Sequence, residues 1–306
     1  MVNLLLDIGV ETSLAHLDDG KRTPLTLAVA GNHAEVAKVL VGAGADPNTP
    51  YIDGDGESHN LLFDAIMVEH EEFALVLIEK GADLYHIDEK KVSTLLQASH
   101  RGLTDIVKAI LEKHVANGSK ADFLDAASED GITPLTAASS EGHTECVKLL
   151  VDANADINAK DKDSTTSLMA ASARGHFDVA SIILAAGADV NDQNLDGHTA
   201  LMFAYNGKNQ VETLWERYNQ FVDEAKSNGE SKEGVDDNDT GPVIQEALKN
   251  HTALVDLLIK SGADQSLKDK EGHQAKDFDF HPDTDAEILA KEARAEKVKD
   301  ESKNEL

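Results

Sequence analysis

Residues 133–158 read TPLTAASSEGHTECVKLLVDANADIN, a stretch that carries the start and stop signals of two consecutive helices. Thr133 can cap the first helix by accepting hydrogen bonds from backbone N–H groups of its first turn, and Pro134 follows where a missing N–H costs nothing. Gly142 separates this helix from an apolar second helix. Asn154 ends the second helix, because asparagine tolerates a left-handed backbone better than most residues do. The stretch therefore predicts a helix–turn–helix unit.

The same unit recurs along the chain, and an alanine marks its centre each time. Three of the five intervals between these alanines are 33 residues, and the other two are 37 and 40 residues with the same landmarks around them. A fixed period of this length is typical of stacked structural repeats, in which each repeat packs only on its neighbours. The alanines are Ala28, Ala65, Ala98, Ala138, Ala171 and Ala204.

The order of these landmarks resembles the ankyrin repeat. Thr-Pro-Leu is followed by alanine, Gly-His, a Leu-Leu helix and Gly-Ala-Asp-x-Asn, and the resemblance covers about residues 2–280. It implies an all-α ankyrin-repeat solenoid of stacked helix-turn-helix units joined by β-turn fingers. The divisions that we expect are a partial N-terminal repeat at 1–17, repeats at 18–50, 51–86, 87–130, 131–160, 161–193 and 194–268, a degenerate capping unit at 269–282, and a C-terminal helix and tail at 283–306.

Two of these repeats are longer than the others. In repeat 87–130, His114 stands where a stop glycine is expected, and we expect a longer loop over residues 115–130. In repeat 194–268, the second helix is expected to start only at His251, which makes residues 208–249 an insertion between the two helices.

The insertion at 208–249 predicts a helical hairpin that projects from the sixth repeat. Residues 223–240 contain seven acidic and two basic side chains, a composition typical of disorder, and a new helix is expected to begin at Thr240. The aromatic side chains either pack only within this hairpin or bind a partner, and the sequence leaves both possibilities open. Apolar residues at helical spacing continue the first helix: Val211, Leu214, Trp215, Tyr218 and Val222.

Composition limits the class of partner. The net charge of −29 repels phosphate backbones and anionic lipids, so we expect no nucleic-acid ligand and favour partners with a basic binding segment. No stretch is long and apolar enough to span a bilayer, and we expect no membrane insertion.

Cys146 is the single cysteine and occupies a core position, which indicates packing rather than nucleophilic chemistry. We expect a monomer outside a complex.

The usual signatures of catalysis and cofactor binding are absent from the sequence. It contains no phosphate-binding glycine loop, His-Glu-x-x-His, Cys-x-x-Cys or Gly-x-Ser-x-Gly, so we predict a protein that is not an enzyme and has no cofactor. The recurring histidines at the helix junctions are structural in the ankyrin pattern, and we predict no metal site. Asp53, Asp55 and Glu57 have the spacing that opens a calcium loop, but Ser58 replaces its glycine. A solvated acidic finger is the prediction there, with weak calcium binding as the alternative.

The resemblance implies a partner-binding surface made of the fingers and of the residues two and three past each alanine on the first helices. The predicted function is a non-catalytic interaction scaffold or adaptor that uses this concave face and the inserted hairpin. Arg101 and Arg174 could be ligand anchors or part of the scaffold, since arginine before the glycine is common in the family. The candidate residues are Met67, Val68, His100, Arg101, Glu141, Arg174 and Asn206 on first helices, Glu129, Asp130, Lys162 and Asp163 in fingers, and Trp215 and Tyr218 in the hairpin.

The sequence gives two indications of location. Residues 1–20 contain acidic side chains and already belong to a repeat, so they do not read as a signal peptide and we expect a cytoplasmic protein. Lys303-Asn304-Glu305-Leu306 resembles a retrieval signal of the endoplasmic reticulum, and glycosylation sequons occur at Asn117, Asn238 and Asn250. The alternative is therefore a luminal protein with an upstream signal peptide, which would be an acidic cation-binding or chaperone-like protein.

Overall fold

The structure is a computed structural model that describes residues 23–31, 33–49, 51–52, 58–117, 122–227 and 240–277. Twelve α-helices, a pair of two-residue antiparallel strands and a 3-10 helix lie in these ranges. The helices are α1 (Pro24–Ala30), α2 (Ala34–Gly42), α3 (Leu61–Met67), α4 (Glu71–Glu79), α5 (Thr94–His100), α6 (Thr104–Ala116), α7 (Pro134–Ser140), α8 (Thr144–Asp152), α9 (Ser167–Ala173), α10 (Phe177–Ala185), α11 (Ala200–Ser227), α12 (Thr240–Lys260) and the 3-10 helix Ala275–Asp277; the strands are β1 (Tyr51–Ile52) and β2 (Ser58–His59).

The helices form stacked pairs within two compact units, residues 1–162 and 163–306. In the first unit, the first helices α1, α3, α5 and α7 contact one another in sequence, and the second helices α2, α4, α6 and α8 do the same. In the second unit, α9 contacts α11, α10 contacts α12, and the 3-10 helix lies against α11. The predicted all-α ankyrin fold is confirmed.

Side-chain caps start the short first helices. The hydroxyl of Thr23 accepts a hydrogen bond from the N–H of Thr26 at 3.2 Å, and that of Thr133 accepts one from the N–H of Thr136 at the same distance. Proline follows the cap in both helices. These bonds satisfy backbone donors that have no partner inside the helix. The start predicted at Thr133 is confirmed, and Thr23 provides the same cap.

A left-handed residue follows the second helix of most repeats. The φ angles of Gly44, Gly81, Gly187 and Gly262 are 100°, 88°, 95° and 94°, and Asn154 has φ 67° in the same slot. Glycine adopts this conformation without the clash that a Cβ atom causes. The stop predicted at Asn154 is confirmed, and the four glycines follow their second helices in the same way.

Hydrogen bonds also connect neighbouring repeats at the turns. The side chain of Asn48 donates to the carbonyl oxygen of Gly81 at 3.0 Å and accepts from the N–H of Asp83 at 2.7 Å. Asn191 makes the equivalent pair of bonds in the second unit. Each asparagine side chain thus provides hydrogen-bond partners for two backbone groups of the following repeat, and its own amide group is paired as well.

The third repeat differs from the prediction of a loop that starts at Val115. Helix α6 runs through His114 and ends at Ala116, because the ring of His114 is buried and packs against aromatic neighbours. It stacks on Phe123 with ring centroids 4.4 Å apart, and the hydroxyl of Tyr85 lies 3.4 Å from its Nδ1. Burial lowers the pKa of His114, since the charged form would lose its hydration. This cluster replaces the stop glycine.

The insertion of the sixth repeat lengthens both of its helices. Helix α11 continues without interruption from Ala200 to Ser227, and α12 begins at Thr240, where the sequence predicts a start. The predicted helix junction at His251 is wrong, because α12 is continuous through that residue to Lys260.

Several sequence predictions concern residues outside the described ranges. These are the partial repeat at 1–17, the calcium-like residues Asp53, Asp55 and Glu57, residues 228–239 of the acidic segment, and the C-terminal segment 283–306. The disorder predicted over 223–240 is wrong for residues 223–227 and for Thr240, because these residues belong to α11 and α12. Within the described ranges, no helix is long and apolar enough to cross a membrane.

Candidate partner-binding surface

The end of α3 presents two large apolar side chains to solvent. Ala65 and Ile66 are buried in the core, whereas Met67 is 41% exposed and Val68 is 59% exposed. On the neighbouring first helix α1, Leu27 is also exposed. We call Met67 and Val68 the Met67–Val68 patch. Stability alone does not explain two large apolar side chains that are exposed side by side. Such side chains can bury apolar area against a partner.

Arg101 directly follows α5, at the position in the next repeat that corresponds to Val68. Its guanidinium donates to the carboxylate of Glu69 at 2.8 Å, which links α5 to the turn after α3. Both side chains are partly exposed, so the ion pair contributes only about 0–1 kcal/mol. Arg101 therefore has a scaffold contact, and Arg174, its counterpart in the second unit, is half-buried.

His100 takes part in the scaffold through its backbone. The Nε2 atom of His143 lies 3.1 Å from the carbonyl oxygen of His100 and donates to it. The ring of His143 covers Gly102, where an added Cβ would come within 2.5 Å of Nδ1. The side chain of His100 remains exposed, whereas Glu141 is half-buried. The junction histidine of one repeat thus packs on the glycine of the preceding repeat.

In the second unit, His251 of α12 occupies the corresponding place. Its ring lies over Gly175, where an added Cβ would be 2.7 Å from Nε2, and it also contacts Gly207 of α11. Its Nδ1 finds no hydrogen-bond partner among the described residues. Burial, reinforced by the charge of nearby His176, lowers the pKa of His251 to about 4.

Asn206 is half-buried, like Glu141 and Arg174. Its Oδ1 is buried and lacks a hydrogen-bond partner in the described part of the chain. Helix α11 continues past this position, and His251 of α12 contacts the next residue, Gly207. Asn206 therefore presents only part of its side chain to solvent.

The finger residues combine backbone links with solvated side chains. The N–H of Glu129 donates to the carbonyl oxygen of Lys90 at 2.8 Å, and the N–H of Lys162 donates to that of Asp130 at 2.9 Å. The side chains of Lys162 and Asp130 are exposed and lie 3.8 Å apart. Asp163, at the start of the second unit, is exposed as well. These side chains can meet a partner without disturbing the fold.

An aromatic stripe runs along the distal part of α11. Trp215 stacks on Tyr218, with ring centroids 5.6 Å apart. The hydroxyl of Tyr218 lies so close to Gly241 that a Cβ atom added to this glycine would be 2.8 Å from it. Tyr218 therefore packs against α12, as the within-hairpin alternative expects. Phe221, one turn further along, is 57% exposed. Phe221 was not among the predicted site residues, although its spacing of three from Tyr218 is a helical one. We call Trp215, Tyr218 and Phe221 the aromatic stripe.

Two observations concern reactive and metal-binding side chains among the described residues. Cys146 is buried, and burial raises the pKa of its thiol, while a nucleophilic cysteine needs access and an accessible thiolate. Among the described residues, no group of three His, Cys, Asp or Glu side chains is arranged to hold a metal ion.

Comparison with known proteins places the similarity in the repeats. The chain matches the family described as ankyrin repeats (3 copies) over residues 1–88 and 95–194. It is 31% identical over 165 residues to Ankyrin repeat and SAM domain-containing protein 6 of Danio rerio, covering 52% of this chain and 20% of that protein. It is 30% identical over 153 residues to Ankyrin repeat and KH domain-containing protein mask-1 of Caenorhabditis elegans, covering 50% of this chain and 5% of that protein.

A shorter match has higher identity. Ankyrin repeat-containing protein P1E11.10 of Schizosaccharomyces pombe is 41% identical over 64 residues, which cover 21% of this chain and 28% of that protein. The chain thus spans less than a third of each of these relatives, and the similarity concerns the repeat region alone.

Proposed function

The chain belongs to the ankyrin-repeat family, and we propose that it is a non-catalytic scaffold or adaptor that binds a partner protein through its first-helix faces and the α11–α12 hairpin. Repeats of this family form a protein–protein interaction module. The proposal adds which parts of this chain make the contact.

The observation that carries the proposal is the exposure of the Met67–Val68 patch. The core positions of α3 are filled by Leu61, Leu62 and Ile66, so the patch is not needed to hold the repeat together. Full burial of a Met or Val side chain stabilises by roughly 1.5–3 kcal/mol, which is enough for a hot spot in an interface. Arg101, which pairs with Glu69 directly after Val68, adds charge beside this anchor.

The hairpin supplies the second contact in this proposal. The stacking of neighbouring repeats does not require α11 to extend beyond Gly207, yet the extension carries Trp215, the only tryptophan, and the exposed Phe221. Aromatic side chains with exposed area are frequent anchors in interfaces.

The partner is proposed to contact the chain with a basic segment. The net charge of −29 attracts cationic surfaces and speeds their association. We further propose that the chain is monomeric outside the complex and works in the cytoplasm, with the lumen of the endoplasmic reticulum as the alternative. Resistance of the protein in intact microsomes to added protease would favour the lumen.

The test compares a variant of the patch with a control variant, and both replace exposed apolar side chains by serine. Met67→Ser with Val68→Ser removes the patch, whereas Val115→Ser alters a 71% exposed side chain at the end of α6, away from the first-helix face. Affinity for the partner recovered from native extract is expected to fall about tenfold, or ~1.4 kcal/mol, for the patch variant only. Equal affinity of the wild type and the folded patch variant would refute the assignment of the patch.

A further inference from the structure

The residue that follows the Met67–Val68 patch has an unusual backbone conformation. Glu69 has a φ angle of 58°, whereas glycine occupies the same place after later first helices, at Gly102, Gly142 and Gly175. Residues other than glycine rarely adopt this left-handed region, because their Cβ atom comes too close to the following carbonyl oxygen. A glycine at position 69 would therefore make the backbone of this repeat more stable.

The ion pair of Glu69 does not offset this cost. Arg101 donates to one carboxylate oxygen, Oε1, at 2.8 Å, and both side chains are partly exposed. An exposed ion pair contributes less to stability than a left-handed backbone costs at a residue with a Cβ atom. A glutamate that stability does not favour indicates a role of its side chain outside folding.

The carboxylate of Glu69 is accessible to a ligand. Its side chain is 48% exposed, and its Oε2 makes no hydrogen bond to another described residue. Arg101 holds the carboxylate through Oε1, which leaves the lone pairs of Oε2 for a second donor. The corresponding Gly102 is instead covered by the ring of His143, and the sequence has Leu103 where that histidine would have its counterpart.

The repeat that carries the patch is also more acidic than the other uninterrupted helix pairs. Residues 60–79 contain five acidic side chains and no lysine or arginine, whereas the net charge of each corresponding stretch lies between −2 and +1. Lys38 and Arg101 of the adjacent repeats pair with Glu72 and Glu69 and offset only two of the five negative charges. The exposed apolar side chains therefore lie in a locally negative field. The stretches compared are 23–42, 93–116, 133–152 and 166–185.

We propose that the Met67–Val68 patch and Glu69 together bind a segment of the partner protein in which a lysine or arginine lies beside a large apolar side chain. The apolar side chain packs on the patch, and the cation donates to Oε2 of Glu69. This inference rests on the proposed function and deepens it, because it names Glu69 as the residue that selects a basic segment over a neutral or acidic one. The net charge of the chain accelerates association, whereas Glu69 determines which segment stays bound.

Short random peptides displayed on phage and selected on the immobilised full chain supply the probe. We expect the selected peptides to be enriched in lysine or arginine beside large apolar residues. Because an acidic bait attracts any cationic peptide, the decisive comparison is between two variants of equal net charge. Glu69→Gln removes the charge beside the patch, and Glu79→Gln removes the same charge at the C-terminal end of α4.

Fluorescence anisotropy measures the affinity of a selected peptide for each protein. Glu69→Gln is expected to weaken binding about tenfold, because a charge-assisted hydrogen bond is lost. Glu79→Gln is expected to change the affinity less than about twofold, because salt screens a charge that does not touch the peptide. Met67→Ser with Val68→Ser is expected to weaken binding about tenfold as well.

A third variant, Glu69→Gly, separates binding from stability. Glycine relieves the left-handed strain, so the urea midpoint is expected to be no lower than that of the wild type. The affinity for the peptide should nevertheless fall about tenfold, as for Glu69→Gln. A lower midpoint would show that Glu69 is retained for its pair with Arg101, which would overturn the inference.

The remaining outcomes distinguish this inference from the proposed function. Peptides that lose affinity on Met67→Ser with Val68→Ser, but respond equally to Glu69→Gln and Glu79→Gln, would overturn the role of Glu69 alone. Selected peptides without enrichment in lysine or arginine would overturn the choice of a basic segment. The absence of enriched peptides, or equal affinity of the wild type and the patch variant, would contradict the proposed function itself.

Discussion

At the scale of single residues, the stack depends on glycines that lie under histidines. Gly102 has φ 69° and lies under the ring of His143, whereas Gly81 has φ 88° with open space where a Cβ would be. A comparison of the two glycines therefore separates the cost of backbone strain from the cost of close packing. Both need the left-handed backbone, but only Gly102 also needs the absence of a side chain.

Replacement of these glycines by alanine is expected to have unequal effects. Gly81→Ala should cost about 1–2 kcal/mol from backbone strain alone. Gly102→Ala should cost roughly 1–3 kcal/mol more, because the methyl group displaces His143 and its bond to the carbonyl of His100. Urea unfolding of the two variants measures the difference, and equal midpoints would show that the histidine does not pack as described.

His251 predicts a dependence of stability on pH. Its pKa is about 4 in the folded chain and about 6.5 when unfolded, so between these values only the unfolded chain binds the proton. The free energy of unfolding should therefore decrease as the pH falls through this window, by about 2 kcal/mol from pH 7 to pH 5. Above pH 6.5 the group has little effect.

The control for this prediction is His251→Asn, which removes the titrating ring. Urea unfolding of wild type and variant at pH 7 and pH 5 isolates the contribution of His251, since all other groups are common to both. The variant should lose about 2 kcal/mol less than the wild type on acidification. The same loss in both proteins would mean that His251 is accessible to protons in the folded state.

At the scale of elements, the insertion is added to a repeat whose core is complete without it. His251 contacts Gly207 across the insertion, and joining Gly207 to Asn250 would leave His251 five residues after Ala204. Ala138 and His143 have the same spacing in an uninterrupted repeat. The chain can thus close over the gap without a change of register.

Deletion of residues 208–249 is therefore expected to leave a folded protein. Asn250 would then take the left-handed position that Gly142 occupies with φ 78°, a conformation that asparagine tolerates. Circular dichroism and thermal unfolding should show a helical protein with a cooperative transition. A matched deletion of 209–250 keeps His251 in the same register but places Lys208 instead of Asn250 in the left-handed position, so it should be less stable. Equal stability of the two deletions would contradict this account of the junction.

The local signals were predictable from the sequence, and the features that depend on neighbouring elements were not. Thr133 and Asn154 act on backbone groups within a few residues, so their roles could be read from the residue type. The continuation of α6 through His114 depends on Phe123, and the contact of His251 with Gly207 depends on how α12 packs against α11. The exposure of Phe221 likewise follows from which side of α11 is covered.

At the scale of the whole molecule, the chain combines a fold stabilised repeat by repeat with a strongly acidic composition. Stability is shared among interfaces between neighbours, so exposed side chains on the first helices can change without loss of the core. The net charge of −29 favours cationic partners and opposes binding to nucleic acid. Both properties suit a module whose surface residues select the partner.

The most direct test of the central claim is quantitative affinity capture from native extract with three folded baits. The baits are the full chain, the deletion of 208–249, and the Met67→Ser variant with Val68→Ser. We predict a small set of proteins that the full chain retains, that each altered bait retains less well, and that carries basic binding segments. Identical retention by all three baits would contradict the claim that the patch and the hairpin bind the partner.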